Sequence, residues 1–184
     1  MAAHTTPRTI RQVHIPHGSL IAQAFATPDY ADAYAIRLPT ESATDVDTVV
    51  RTLFTAHPRW IDALMALRNN LVRLIGLKTP PRGAHEREIR KIRNLQPGSV
   101  AGIFHVLARN DDEIVLGEDD RHLDFRLSVL VRRQAGVAWA VVTTVVRFNG
   151  RWGRAYFVPV RPFHQLIIPA MLRNMQRALH GART

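Results

Sequence analysis

The sequence predicts one α+β domain: a curved antiparallel sheet of five to six strands, a helix pair after the first strand, and a long C-terminal helix. Three observations carry this. Between residues 102 and 160 apolar and polar residues alternate with period two in short runs split by turn residues, the mark of a meander rather than of strands joined by crossover helices. Helical spacing is confined to the stretch from 44 to 76 and to the end of the chain. A chain of 184 residues, 46% hydrophobic and 22% charged, suffices for one core and is read as a single domain over 1–184.

Residues 1–25 are polar and expected to be loosely ordered. "DYADAYAIRLP" sets Tyr30, Asp32, Tyr34, Ile36 and Leu38 against Ala31, Ala33, Ala35 and Arg37, a first strand ending at Pro39. The first helix follows, with Thr44 as N-cap, Asp45 and Asp47 in its first turn, and Val46, Val49, Val50, Leu53 and Phe54 on one side. A second starts near Pro58, buries Trp60, Leu64, Leu67, Leu71 and Leu74, and closes at Gly76. Residues 79–98, rich in Pro, Gly and charge, are expected to form a mobile connection.

Strands are then predicted over 102–109, 113–117, 122–133, 137–148 and 151–160, and the last helix over 162–180, with Pro169 kinking it or marking its start. Turn chemistry gives registers. "QAGV" pairs Arg133 with Ala138, hence Leu123 with Phe148, Phe125 with Val146, Leu127 with Thr144, and Val129 with Val142. Asn149-Gly150 is a strong hairpin signal, and would set Phe148 opposite Arg151, Thr144 opposite Ala155, and Val142 opposite Phe157.

The coincident dry faces suggest an apolar cavity beneath the last helix, lined by Phe125, Leu127, Val142, Phe157, Ile167 and Met171, with Thr144 and Ala155 leaving volume for a ligand. On the wet face Asp124 falls opposite Arg147, with Trp152 expected to stack on the guanidinium, so the two form a structural pair. Trp152, Tyr156, Val141, Val145, Leu130 and Val158 share that face and make it too apolar for solvent alone; it reads as a homodimer interface.

Several chemistries are excluded. There is no cysteine, so neither disulfides nor thiolate catalysis arise. The histidines lack HExxH or other helical two-His spacing, so no metal is expected, and without a P-loop, G-x-S-x-G or G-x-G-x-x-G no cofactor is expected. The net charge of +10 is almost wholly arginine, Lys78 and Lys91 being the only lysines, and is spread along the chain rather than gathered on a recognition element. Specific nucleic-acid binding is therefore not expected. No apolar run is long enough for a membrane span, and a cytoplasmic protein is expected. "LGEDDRHLD" offers acid–base candidates in Glu118, Asp119 and His122, with His105 across the hairpin; the same stretch reads equally as an acidic turn. His164 stands at the mouth of the last helix.

The order of elements resembles the helix-grip arrangement of the START and pollen-allergen-like superfamily, which implies a sheet gripping a long helix around an apolar cavity. The wording of the chain, in "DYADAY", "EIVLGEDDRHLDFR", "TTVVRFN" and "PAMLR", resembles an uncharacterised bacterial family known as domain of unknown function 2867, roughly from His14 to Leu179. That family brings no established activity. Three readings follow: a binding protein for a small hydrophobic molecule, a metal-independent hydrolase or isomerase using the His105, Glu118, Asp119 and His122 cluster, or an interaction module.

Overall fold

Turn chemistry and alternation produce the longest ladder of the sheet. In a computed structural model of the chain, which describes residues 9–39, 45–61, 63–64, 95–101 and 104–181, the strands are β1 (Arg11–Gln12), β2 (Tyr30–Arg37), β3 (Val100–Ala101), β4 (Phe104–Arg109), β5 (Glu113–Asp119), β6 (Leu123–Gln134) and β7 (Val137–Phe148). They form one curved antiparallel sheet in the order β1-β2-β7-β6-β5-β4-β3. Between β6 and β7 the register is the one the turn implies: Arg133 faces Ala138, Leu127 faces Thr144, and Leu123 faces Phe148. Both central residues of that turn, Ala135 and Gly136, have positive φ, at 50° and 74°. The mirror-type two-residue turn requires this and matches the twist of the strands.

The strand expected over 151–160 does not form. Arg151–Gly181 is a single helix of 31 residues, and the place beside β7 is taken by β2, with Tyr30 opposite Val146 and Arg37 opposite Trp139. Two features explain the difference. Pro159 has no N–H to give a central strand, and the buried positions Gly153, Phe157, Ile168, Met171 and Met175 recur at three- and four-residue spacing or its multiples, as on one side of a helix. Asn149-Gly150 still turns the chain, with Gly150 at φ +89°, but into a helix. Ala155 therefore does not face Thr144, and Trp152 is 78% exposed rather than stacked on Arg147.

One side of the sheet holds the main core. Ile36, Val106, Ile114, Leu116, Leu127, Val129 and Val142 pack there against helix α1 (Val46–Thr55) and against Ile168, Met171, Leu172 and Met175 of the C-terminal helix. Helix α1 buries the five residues its spacing predicts. Its cap is Asp45 rather than Thr44: the Asp45 carboxylate accepts the Thr48 N–H at 2.8 Å. Residues 59–61 and 63–64 are helical, with Ile61 buried where Trp60 was expected to be. The rest of the second helix, and the connection as far as residue 94, lie outside the described residues.

Of residues 9–25, expected to be loose, Arg11–Gln12 join the sheet as its edge strand, and the residues from Ile15 onward run across the opposite side of the sheet. Arg11 pairs with Ala35, the Val13 N–H donates to the Ala33 carbonyl, and a 3-10 turn at Leu20–Gln23 buries Ile21 against Val115 and Val145. This strap covers part of the face read as a homodimer interface, and Trp152, Tyr156 and Val158 leave that face for the helix.

The C-terminal helix starts where the backbone allows only glycine. A Cβ on Gly153 would stand 1.9 Å from the carbonyl oxygen of His122, a backbone atom that cannot swing aside. Gly153→Ala is expected to destabilise the fold by about 1–3 kcal/mol, as overpacking does, in urea titration; an unchanged midpoint would show that the helix start is not pressed against the β5–β6 turn.

Candidate functional site

At the acidic turn the candidates fall into separate pairs near the surface. His105 Nε2 lies 3.5 Å from Glu118 Oε2, but both side chains are about half exposed, at 52% and 45%. Asp119 is taken by Arg126 at 2.6 Å. His122 contributes its carbonyl, which accepts the Asn149 N–H. Solvent-exposed pairs of this kind gain little.

Asp124 and Arg147 meet as their register requires, Arg147 donating from Nε at 3.1 Å and Nη2 at 2.5 Å to Asp124 Oδ2. Asn149 Nδ2 donates to the other oxygen at 2.9 Å. The ring over the guanidinium is Phe25 of the strap, 5.1 Å from both Arg147 and Arg126. Burial alone would raise the Asp124 carboxyl, but hydrogen bonds from Arg147 and Asn149 and the charges of Arg147 and Arg126 outweigh it and hold it below the ordinary value. At the other end of the β5–β6 ladder, Glu113 is buried to 1% exposure. It accepts the N–H groups of Leu20 at 2.6 Å and Ile21 at 3.3 Å and the Ser128 hydroxyl at 2.5 Å, which pins the strap to β5 and β6.

The constellation with chemical potential lies on the helix side. Asp32 shares a phase of β2 with Tyr30, Tyr34 and Ile36, and its cross-strand partner is Thr144. From the C-terminal helix, His164, four residues before buried Ile168, brings Nε2 to 3.3 Å from Asp32 Oδ1. The Tyr30 hydroxyl donates to Oδ2 at 2.5 Å. The Asp32 side chain is 2% exposed and the His164 ring 15%. The Thr144 hydroxyl is buried without a hydrogen-bond partner among the described residues.

Burial and the Asp32 charge act on the two phenols of this cluster. Burial, then the hydrogen bond and charge of Asp32, push the Tyr30 phenol well above its usual range, against a small opposing hydrogen bond from Gln165. Burial and the Asp32 charge raise Tyr34 likewise. Tyr30 thus stays a neutral donor. With Asp32 as acceptor, the imidazole proton belongs on Nε2, and Nδ1 is left without a partner among the described residues. A carboxylate-oriented imidazole beside a neutral phenol can take up or deliver a proton, or grip a polar group.

The surroundings are aromatic and apolar. Phe157 lies 4.8 Å from Tyr30 and 5.2 Å from Phe148, between ring centroids. Phe148 also lines an open cleft of about 520 Å³ together with Asp29, Gly150, Arg151, Arg154, Ala155 and Val158. Of the residues expected to line a cavity, Leu127, Val142, Thr144, Phe157 and Met171 are buried, with Phe125 and Ile167 packed against the core. Ala155 is exposed in the cleft. Asp32 and Tyr30 were missed as site residues, although a carboxylate in the apolar phase of a strand was a readable signal. Their pairing with His164 was not readable, being set by tertiary packing.

Asp124 generates a prediction for acid. Its pKa is depressed on folding, so its contribution is fully present above the ordinary carboxyl value of 3.8 and is lost as the pH falls through the lower folded value. Asp124→Asn should lower stability by about 1–3 kcal/mol at neutral pH, as loss of charged hydrogen bonds does, and the gap from wild type should narrow below about pH 4. A gap that stays constant in acid denaturation curves would show that the loss is not electrostatic.

Among the described residues no helix is long and apolar enough to cross a membrane. No curated protein and no solved structure matches the chain, so the expected likeness to the helix-grip superfamily finds no support there. A family described as protein of unknown function (DUF2867) matches residues 24–171, which span β2 to β7 and the helix as far as Met171. The segment contains Tyr30, Asp32, Thr144 and His164, and the chain belongs to that family.

Proposed function

We propose that the protein binds a small, largely apolar molecule between the first half of the C-terminal helix and the β2–β7–β6 face, with the polar end of that molecule at Asp32, Thr144 and His164. The observation that carries this reading is the Thr144 hydroxyl, buried and without a partner among the described residues, across the strands from a buried carboxylate. An unsatisfied buried hydroxyl costs about 1–3 kcal/mol; a ligand atom that bonds to it removes that cost. The rings of Phe148, Phe157 and Tyr30 lead from the open cleft toward Asp32, and apolar walls with a few convergent polar groups are the usual make-up of small-molecule sites. A cytoplasmic location suits a chain without cysteine.

His164, whose Nδ1 has no partner among the described residues, favours a second reading at the same place, in which the imidazole acts as an acid or base of a metal-independent hydrolase or isomerase. A molecule recovered chemically changed by wild type, and unchanged by a His164→Gln variant that still binds it, would select that reading.

The test is uptake of a fluorescent hydrophobic probe, alongside native mass spectrometry of the purified protein for a retained small molecule. Ala155→Trp fills the cleft at an exposed helix position and is expected to weaken probe uptake at least about tenfold, equivalent to about 1.4 kcal/mol. Thr144→Val, nearly isosteric, should weaken a ligand with a polar end while leaving the melting temperature unchanged or raised. If both variants take up probe as wild type does and no retained molecule is found, the reading is wrong.

A further inference from the structure

The outward side of the C-terminal helix carries large apolar side chains in its first half and arginines in its second. Trp152, Phe163 and Leu166 are 78%, 47% and 63% exposed, and with exposed Pro159 they recur at seven-, four- and three-residue spacing. They form an apolar stripe opposite the buried residues Gly153, Phe157, Ile168 and Met175. Beyond Leu166 the same side turns basic, at exposed Arg173 and Arg177. Arg151 is also exposed, at the start of the helix, whereas Arg154 and Arg161 turn toward the sheet side, Arg154 facing Asp29 at 3.8 Å and Arg161 lying over the Tyr30 ring. No Asp or Glu occurs anywhere between Arg151 and Gly181.

We propose that this face docks on the surface of an anionic lipid bilayer, with Trp152, Phe163 and Leu166 entering the headgroup–acyl boundary and the arginines meeting lipid phosphates. Apolar residues with Trp on one side and flanking arginines are what an interfacial helix needs, apolar burial and electrostatic attraction acting together. A second copy fits less well, for two reasons. The stripe is about 22 Å long and one helix wide, roughly 200 Å², whereas a stable protein interface takes about 800 Å² from each partner. An isologous pairing of this face would also bring arginine against arginine with no carboxylate on the helix to answer it. A bilayer has no minimum area and supplies the opposite charge. The inference stands apart from the ligand reading, since these three side chains do not line the cleft.

Vesicle flotation of the full chain tests it, with phosphatidylcholine vesicles beside vesicles that also contain phosphatidylglycerol. The wild type should float with the anionic vesicles alone, be released by salt, and show a blue shift in tryptophan emission that Trp152→Phe removes. A Trp152→Ser, Phe163→Ser, Leu166→Ser variant, altered only at exposed positions and checked by circular dichroism, should lose about tenfold or more in partitioning. Arg173→Gln with Arg177→Gln should bind more weakly and with less salt dependence. Four results would overturn the proposal: equal binding to both vesicle types, an unaffected triple-serine variant, release by inorganic phosphate at constant ionic strength, or a dimer in sedimentation velocity that the triple-serine variant abolishes.

Discussion

Where β2 pairs with β7, from Tyr30 opposite Val146 to Arg37 opposite Trp139, the edge that the following residues would otherwise use is closed. An antiparallel strand has two hydrogen-bonding sides, and β7 spends one on β6 and the other on β2. The chain leaving Phe148 therefore has no ladder to join. It turns at Gly150 and returns as a helix over the face it has just completed. The same pairing sets Asp32 opposite Thr144, and the returning helix carries His164 onto Asp32. One register thus decides both the topology and the polar constellation.

The two faces of the sheet are closed by different physics. On the helix side, apolar side chains from α1 and the C-terminal helix supply the burial, and the polar group of Asp32, Tyr30 and His164 sits near one end of that layer. On the other side the cover is a short strap without long regular structure, and it is held by polar bonds. Glu113 accepts two backbone N–H groups from the strap and the Ser128 hydroxyl, which satisfies a buried carboxylate through donors alone. Phe25 then rests over Arg126 and Arg147 while Ile21 fills the space between Val115 and Val145. The strap turns a half-apolar sheet face into an interior.

What could be read from the sequence was what local chemistry decides. The β6–β7 register follows from one turn and a period of two, and with it came the Asp124–Arg147 pair; helix α1 followed from spacing alone. The segment 151–160 was misread because Asn-Gly is a local signal, and ten residues of mixed pattern satisfy a strand and a helix alike until the neighbouring edge is known to be occupied. The strap was missed because His14 to Ala24 has no period at all; its order comes from Glu113, some 90 residues away. Asp32 and His164 are 132 residues apart. The oddity of an aspartate among Tyr30, Tyr34 and Ile36 was visible, but its partner could come only from the fold.

The central claim is that the Asp32, Thr144 and His164 group faces a bound molecule. Intermolecular nuclear Overhauser effects between a bound hydrophobic probe and the protein test it most directly. The account predicts contacts from the polar end of the probe to the Thr144 methyl and the His164 ring, and from its apolar part to Tyr30 and Phe157. Contacts confined to Phe25 and Ile21 on the strap side, or to the exposed ring of Trp152, would contradict it.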